Sequence, residues 1–539
     1  MLLVALILAG CGPSGSPQSL GVPSTAGFLP GQVGSVSPTS GGVSFYAAAR
    51  FLDQASMGPT PASVARVQSI GMAAWIDEQL RLPVSRINTP DDLIWYDINL
   101  DRATANRATE FTRAALHGAG LGNADQLRTR VAWVLSNFLV TSTRKVLPYC
   151  SAEFWNTLTA GALTPYGDLL KAVSRSPAMG VFLDNNQNRK DSLNENYGRE
   201  LMQLFSVGLV MLNLDGTPRR DASGRAIETY SQADVIAATR ALTGWSTVSD
   251  PRNKFVNNAN GANCGVPMAP NWPGSHDSDA KTVLGKTIPA AGDAAADLAA
   301  LVKILVEHPN AAPFVSLRLI QGMTTSNPSP AYLKRVATVF QQTGGDLAQV
   351  VKSVLMDPEA RAGDLPSQTD NAFGRIREPF LQHVFVMRGL GCQIPLKWRG
   401  SNSTMDTVQM PMDAPSVFNW YPPNHLAPGS NLLAPEQKML NSTEFSSRLG
   451  RYDYVLDDEG AIRSAGCDVD TFKSAAQTSD DSLIELINQR YFRGAMTPPT
   501  RQLFKEFSAS ASWLRNSPMR YTGAMLALAT VTPGFGAAK

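Results

Sequence analysis

The chain reads as a mainly α-helical protein, a single large helical globular body with long irregular loops and a small hairpin insertion. Apolar residues recur at threefold and fourfold spacing behind capping residues from Val43 onward, the pattern of amphipathic helices. Strand signals are few and gather around two turn pairs, Asp215-Gly216 and Ser223-Gly224. No repeat of fixed period appears, which excludes a solenoid. The 539 residues suffice for a large core, and the apolar share of 43% is that of an ordinary globule. The net charge of +2, with no run of Lys or Arg to track a phosphate backbone, excludes nucleic acid as a partner. Past residue 10 no apolar stretch is long enough to span a bilayer.

In chain order, Leu2–Leu8 is a compact apolar run, shorter than a membrane span, followed by Leu8-Ala9-Gly10-Cys11. That tetrapeptide resembles the bacterial lipobox, in which the cysteine thiol is lipidated and becomes the new N-terminus. No Lys or Arg precedes the apolar run, which departs from the pattern. Residues 1–11 are therefore expected to be a lipoprotein signal peptide ending at Cys11, and residues 12–43, rich in Gly, Ser and Pro, a flexible tether. Residues 44–539 form the helical domain. Several acyl chains, each methylene contributing about 0.8 kcal/mol, would hold such a protein on a membrane. Gly12 is not an inner-membrane retention residue, so a lipid anchor in the outer membrane is expected. In an oxidising compartment Cys150, Cys264, Cys392 and Cys467 allow three disulfide connectivities; buried free thiols are the other reading. Their wide spacing does not suggest zinc.

Thr60-Pro61 starts a helix carrying Val64, Val67 and Ile70 and stopping at Gly71; Met72, Trp75, Ile76 and Leu80 repeat the stripe. Ser329-Pro330 opens another with Leu333, Val336, Val339 and Phe340, and Asp346 caps one with Leu347, Val350, Val351, Val354 and Leu355. Residues 246–294 and 405–435 read as long irregular loops.

The densest polar stretch, Asp191 to Gly208, reads as one helix with a Ser192/Glu195 capping box and Gly208 as its C-cap. Tyr197, Leu201, Leu204 and Phe205 form its buried stripe, and Glu195 and Arg199 pair on the far face. Asn194 and Glu200 fall on the flanks of the stripe, where partial burial is expected. A partly buried glutamate must be paired, or protonated with a raised pKa. A structural hub is the favoured reading of Glu200, and a functional carboxylate the sharper one.

His276-Asp-Ser-Asp-Ala-Lys281 is the second polar cluster. His276, Asp277 and Asp279 could ligate a metal with Glu195 or Glu200 completing the shell, but a turn in which the aspartates bond local amides is favoured. A phosphate loop at Gly285-Lys286-Thr287 fails because Ala280 stands where the first glycine is required. No nucleophile elbow and no paired-histidine zinc helix occurs, and the five histidines form no cluster in sequence. His308, ending a helix, reads as a charge complementing the helix dipole. Phe418, Trp420 and Tyr421 on a proline-rich loop could stack on sugars, although anchoring the loop to the core is favoured.

Several segments together resemble a bacterial family called domain of unknown function 1800: Phe182–Asn188, Asn194-Glu-Asn-Tyr-Gly-Arg-Glu-Leu201, Ala241-Leu-Thr-Gly-Trp245, His276-Asp277 with Lys281 and Gly285, His308–Arg361, and Pro415–Tyr421. The likeness runs from about residue 44 to residue 530. It implies a mostly helical exported protein with no established activity, of a family often encoded beside a second exported family, domain of unknown function 1501. Where a Trp-His-Asn-His-Phe-like segment is expected, this chain has Trp133-Val-Leu-Ser-Asn-Phe138. The candidate catalytic residues are Glu200, Glu195, His276 and Asp277; the candidate binding residues are Asn194, Tyr197, Arg199, Lys281, Trp420 and Tyr421. No particular cofactor or metal is indicated. Two functions follow: a non-catalytic lipoprotein that binds or assists an exported partner, and an envelope hydrolase acting on a glycan or ester polymer. They part on whether the Asn194–Leu201 helix and the His276-Asp277 loop converge in an open pocket or close into a hydrogen-bonded core.

Overall fold

A computed structural model of the chain describes residues 42–98, 102–252, 262–270, 274–368, 372–397 and 407–539. The signal peptide and Cys11 lie outside these residues, as does nearly all of the tether. The body is mainly helical with two small antiparallel sheets, as the spacing predicts.

Local signals place the helix ends. Thr60 caps Pro61–Ile70, and Ser63 returns a bond to the Thr60 amide, closing a capping box. Gly71 takes φ 85° and separates that helix from Met72–Arg81. Ser329 caps Pro330–Thr343, and the Asp346 carboxylate accepts from the amides of Ala348 and Gln349 at the start of Leu347–Met356.

The first helix, Phe45–Ala55, is buried along nearly its whole length and carries charge into the core. Arg50 pairs with Asp364 at 2.7 Å. Asp53 takes Arg377 at 2.6 Å and Arg493 at 2.9 Å, so the start of the described chain is tied to residues several hundred positions away. Against this first helix pack Pro61–Ile70, Gln126–Ser136 and Leu347–Met356, Ala311–Met323 lies in turn on Gln126–Ser136, and Ser442–Val455 lies against Pro518–Thr530.

The hairpin insertion stands where Asp215-Gly216 and Ser223-Gly224 place it. Val210 bridges Glu228, Leu212 bridges Pro218 and Arg220 bridges Ala226, with both glycines at positive φ. The irregular reading of residues 246–294 needs correction at 281–288. Lys281–Val283 pairs antiparallel with Lys286–Ile288 through a two-residue turn in which Leu284 (φ 50°) and Gly285 (φ 73°) are both left-handed. Runs of three residues are too short to show a period of two. A second ladder, Arg375–Ile376 with Ala537–Ala538, returns the C-terminal residues to the centre. The cysteines pair as Cys150–Cys264 and Cys392–Cys467. Among the described residues no helix is long and apolar enough to cross a membrane.

Candidate functional site

The polar helix is shorter than its sequence suggests. It runs Asn196–Gln203, and the expected Ser192/Glu195 capping box does not form. The Ser192 amide donates instead to Arg189 O, and Asn194 Oδ1 accepts from the Asn196 amide at 3.0 Å. Asn194 is exposed rather than flanking the core, because its backbone is held out in this turn by Asn188. Gly208 still closes the segment, its amide on Met202 O at φ 71°.

The faces of this helix divide as the spacing predicts. Tyr197 is buried and donates to Ser174 Oγ at 2.6 Å. Arg199 and Glu195 pair at 2.8 Å near solvent, and Gln232 bonds both. Glu200 is 9% exposed and has no ion pair among the described residues; its Oε2 has no hydrogen-bond partner. Of the two states open to it, the structure has the unpaired one: burial raises its pKa, with Arg199 opposing weakly.

The His276 loop is closed. His276 Nδ1 lies 3.0 Å from Thr243 O, and Nε2 is 3.2 Å from Asp297 Oδ2. Asp277 is held by Arg240 through Nε at 2.6 Å and Nη2 at 3.0 Å, and it accepts from the Asp279 amide as a turn requires. Lys281, fully buried, donates to Asp297 Oδ2 at 2.6 Å and to the carbonyls of Asp277 and Asp279. The helix Gln232–Ala241 packs against both the Asn196–Gln203 helix and the hairpin strand beginning at Lys281. Neither Glu195 nor Glu200 pairs with the loop, so the combined metal shell does not assemble. Among the described residues no three His, Cys, Asp or Glu side chains gather to hold a metal.

His308 also departs from expectation. Burial lowers its pKa, and Nδ1 accepts from the Asn310 amide, so it serves as a neutral acceptor rather than a dipole-matching charge. The histidines scattered in sequence are not all scattered in space: His117 and His383 are buried with ring centres 5.8 Å apart.

A polar centre that the motifs missed lies deeper. Glu378, at the start of Pro379–Gly389, accepts from Trp133 Nε1 (2.8 Å), Arg375 Nη2 (3.0 Å), Gln409 Nε2 (2.7 Å) and Tyr421 Oη (2.9 Å). Arg375 also bonds Glu436 Oε1 at 2.7 Å. Burial pushes both carboxyls up, but the outcomes diverge. Arg375 and the donors around Glu378 outweigh burial and hold it below the ordinary value, while Glu436, with fewer donors, stays raised. Tyr421 is thus an anchor of the proline-rich loop, as favoured, and Trp420 sits under the Arg144 guanidinium at 5.6 Å. The available signal was Arg375-Ile-Arg377-Glu378 immediately ahead of a helix-starting proline, a run of charge entering an apolar helix.

Beside this centre is a cavity of about 80 Å³, lined by Arg318, Arg375, Glu436, Tyr421, Phe418 and Asn137 among others.

Fold and polar centres together define a mainly helical globular protein with an internal ionic core and two disulfides. The chain belongs to the family described as Protein of unknown function (DUF1800), whose model matches residues 50–536. No curated protein and no solved structure matches it.

Proposed function

We propose that this is an exported lipoprotein, anchored through Cys11 in the outer membrane and tethered by residues 12–43, whose helical body binds or assists an exported partner in the cell envelope. The observation that carries the non-catalytic reading is the closure of the His276 loop. Asp277 and Lys281 are held by Arg240 and Asp297, and His276 is bonded through Nδ1 to Thr243 O with Nε2 turned inward, 3.2 Å from Asp297, rather than toward a substrate. Two disulfides fit an oxidising compartment and support export. The partner proposed is an exported protein of the domain of unknown function 1501 family.

Two experiments test the reading. Cys11→Ala should abolish lipid labelling and release the protein from the membrane fraction; labelling that persists removes the anchor. The purified lipoprotein and an exported 1501-family protein should co-sediment as a complex, and separate sedimentation of the two removes that partner.

One observation favours the alternative, an envelope hydrolase acting on a glycan or ester polymer through Glu200 or Glu195 with His276 and Asp277. Glu200 is a buried carboxyl with a free oxygen and a raised pKa, the state of a general acid. Hydrolysis of peptidoglycan or ester substrates by the wild type, lost in Glu200→Gln with the fold intact, would establish it.

A further inference from the structure

We propose that the cavity beside Arg318 and Glu436 is a binding site for a small apolar carboxylate, a short acyl or aryl acid whose charged end meets the Arg318 guanidinium. The proposal is independent of the partner-binding reading.

The first observation is a cation without an anion. Arg318, on the helix Ala311–Met323, has no carboxylate within ion-pair distance among the described residues. Its contacts are Gln321 Oε1 at 3.2 Å and the Phe314 ring, 5.1 Å from the guanidinium carbon. Burial lowers its pKa to about 10, which still leaves it charged at neutral pH. The side chain is half-buried, and the cavity is where an anion can reach its guanidinium.

The second is an acid with a spare atom. Glu436 is 2% exposed; Arg375 occupies Oε1, and Oε2 has no partner. Burial raises its pKa, which favours a proton on the free Oε2, and that proton would be donated to an incoming oxygen. Among the described residues the other acids of this core are engaged elsewhere. Asp53 is taken by Arg377 and Arg493, and Glu378 by Arg375, Trp133, Gln409 and Tyr421. Arg318 is therefore the lining cation that no carboxylate among the described residues pairs, since Arg375 is held by Glu378 and Glu436.

The third is shape. A single guanidinium fork matches the two oxygens of one carboxylate. The walls from Val134, Leu204 and Phe418 are apolar, suited to a hydrocarbon or ring, and Phe418, half exposed, stands on the lining. A phosphate dianion would bring a second charge against these walls, where the other lining arginine, Arg375, is already paired with Glu378 and Glu436. At roughly 10–15 Å³ for one water, about 80 Å³ admits a small acid or the head of a longer one.

The test titrates the full-length protein in detergent with benzoate, benzamide and inorganic phosphate, reading heat and thermal shift. Benzoate should bind and raise the melting temperature, with benzamide and phosphate each at least about tenfold weaker. Arg318→Gln should weaken benzoate by about tenfold or more while leaving benzamide unchanged, and Glu436→Ala should weaken benzoate less. If Arg318→Gln does not fold, Phe418→Ala, on a half-exposed side chain, should weaken benzoate and leave acetate unchanged. No benzoate binding up to about 10 mM, benzamide or phosphate binding as tightly as benzoate, or benzoate affinity unaltered by both variants would each overturn the proposal.

Discussion

Lys281 Nζ lies 2.6 Å from Asp297 Oδ2, and both side chains are buried. Lys281 begins a hairpin strand and Asp297 sits in the first turn of Ala294–Glu307, so the pair clamps the hairpin to the body. Removing one partner of such a pair leaves an uncompensated charge, whereas removing both does not. Asp297→Asn is expected to lower stability by roughly 3–5 kcal/mol, and Lys281→Met with Asp297→Leu by much less. Guanidinium denaturation distinguishes them; an Asp297→Asn variant as stable as wild type would mean the carbonyls alone hold the ammonium.

Gly198 lets two helices touch. A Cβ built there would stand 2.4 Å from Thr239 Oγ1, an oxygen already committed to Val235 O. Gly198→Ala should cost roughly 1–3 kcal/mol through forced separation. Adding Thr239→Ala should recover part of the loss, and equal melting temperatures for single and double variants would refute the contact as cause.

Glu200 makes stability depend on pH. Its folded pKa is raised above the ordinary 4.5, so the native state holds its proton more tightly than the unfolded chain. Its contribution is therefore greatest below the unfolded pKa and declines as pH rises through the folded value. Glu200→Gln should remove that decline and be at least as stable as wild type at neutral pH. Urea denaturation between about pH 4 and 8 measures the difference. A Gln variant clearly weaker at neutral pH would mean the ionised carboxylate has a partner.

The two disulfides span 114 and 75 residues. Replacing either pair by alanine should cost roughly 2–5 kcal/mol. Chain entropy separates the two by only about 0.4 kcal/mol, the longer loop losing more. Unreduced protein should expose no alkylatable thiol at Cys150, Cys264, Cys392 or Cys467; labelling at any of them without denaturant would exclude its bridge.

How much was legible follows from the range of each interaction. Thr60, Ser329 and Asp346 act on amides two or three residues away, so their helices were predictable from adjacent letters. The Ser192/Glu195 box had the same letters and failed, because Asn188 holds the Asn194 backbone in a competing turn. Glu195 and Glu200 sorted onto the outer and buried faces because Glu200 lies in the short helix and Glu195, its N-cap, keeps helical dihedrals.

By itself the sequence determined the helical class, most caps, the hairpin turns at Gly216 and Gly224, and the family, since each rests on local hydrogen bonds, periodicity or contiguous motifs. Tertiary structure alone decided which cysteines pair, that Asp297 rather than Glu195 or Glu200 meets the His276 loop, and that Glu378 gathers Trp133, Arg375, Gln409 and Tyr421. Trp133 and Glu378 are 245 residues apart, and Asp53 and Arg493 are 440. A buried charge must find its partner in space, and only the packing of apolar faces determines which distant side chain arrives there.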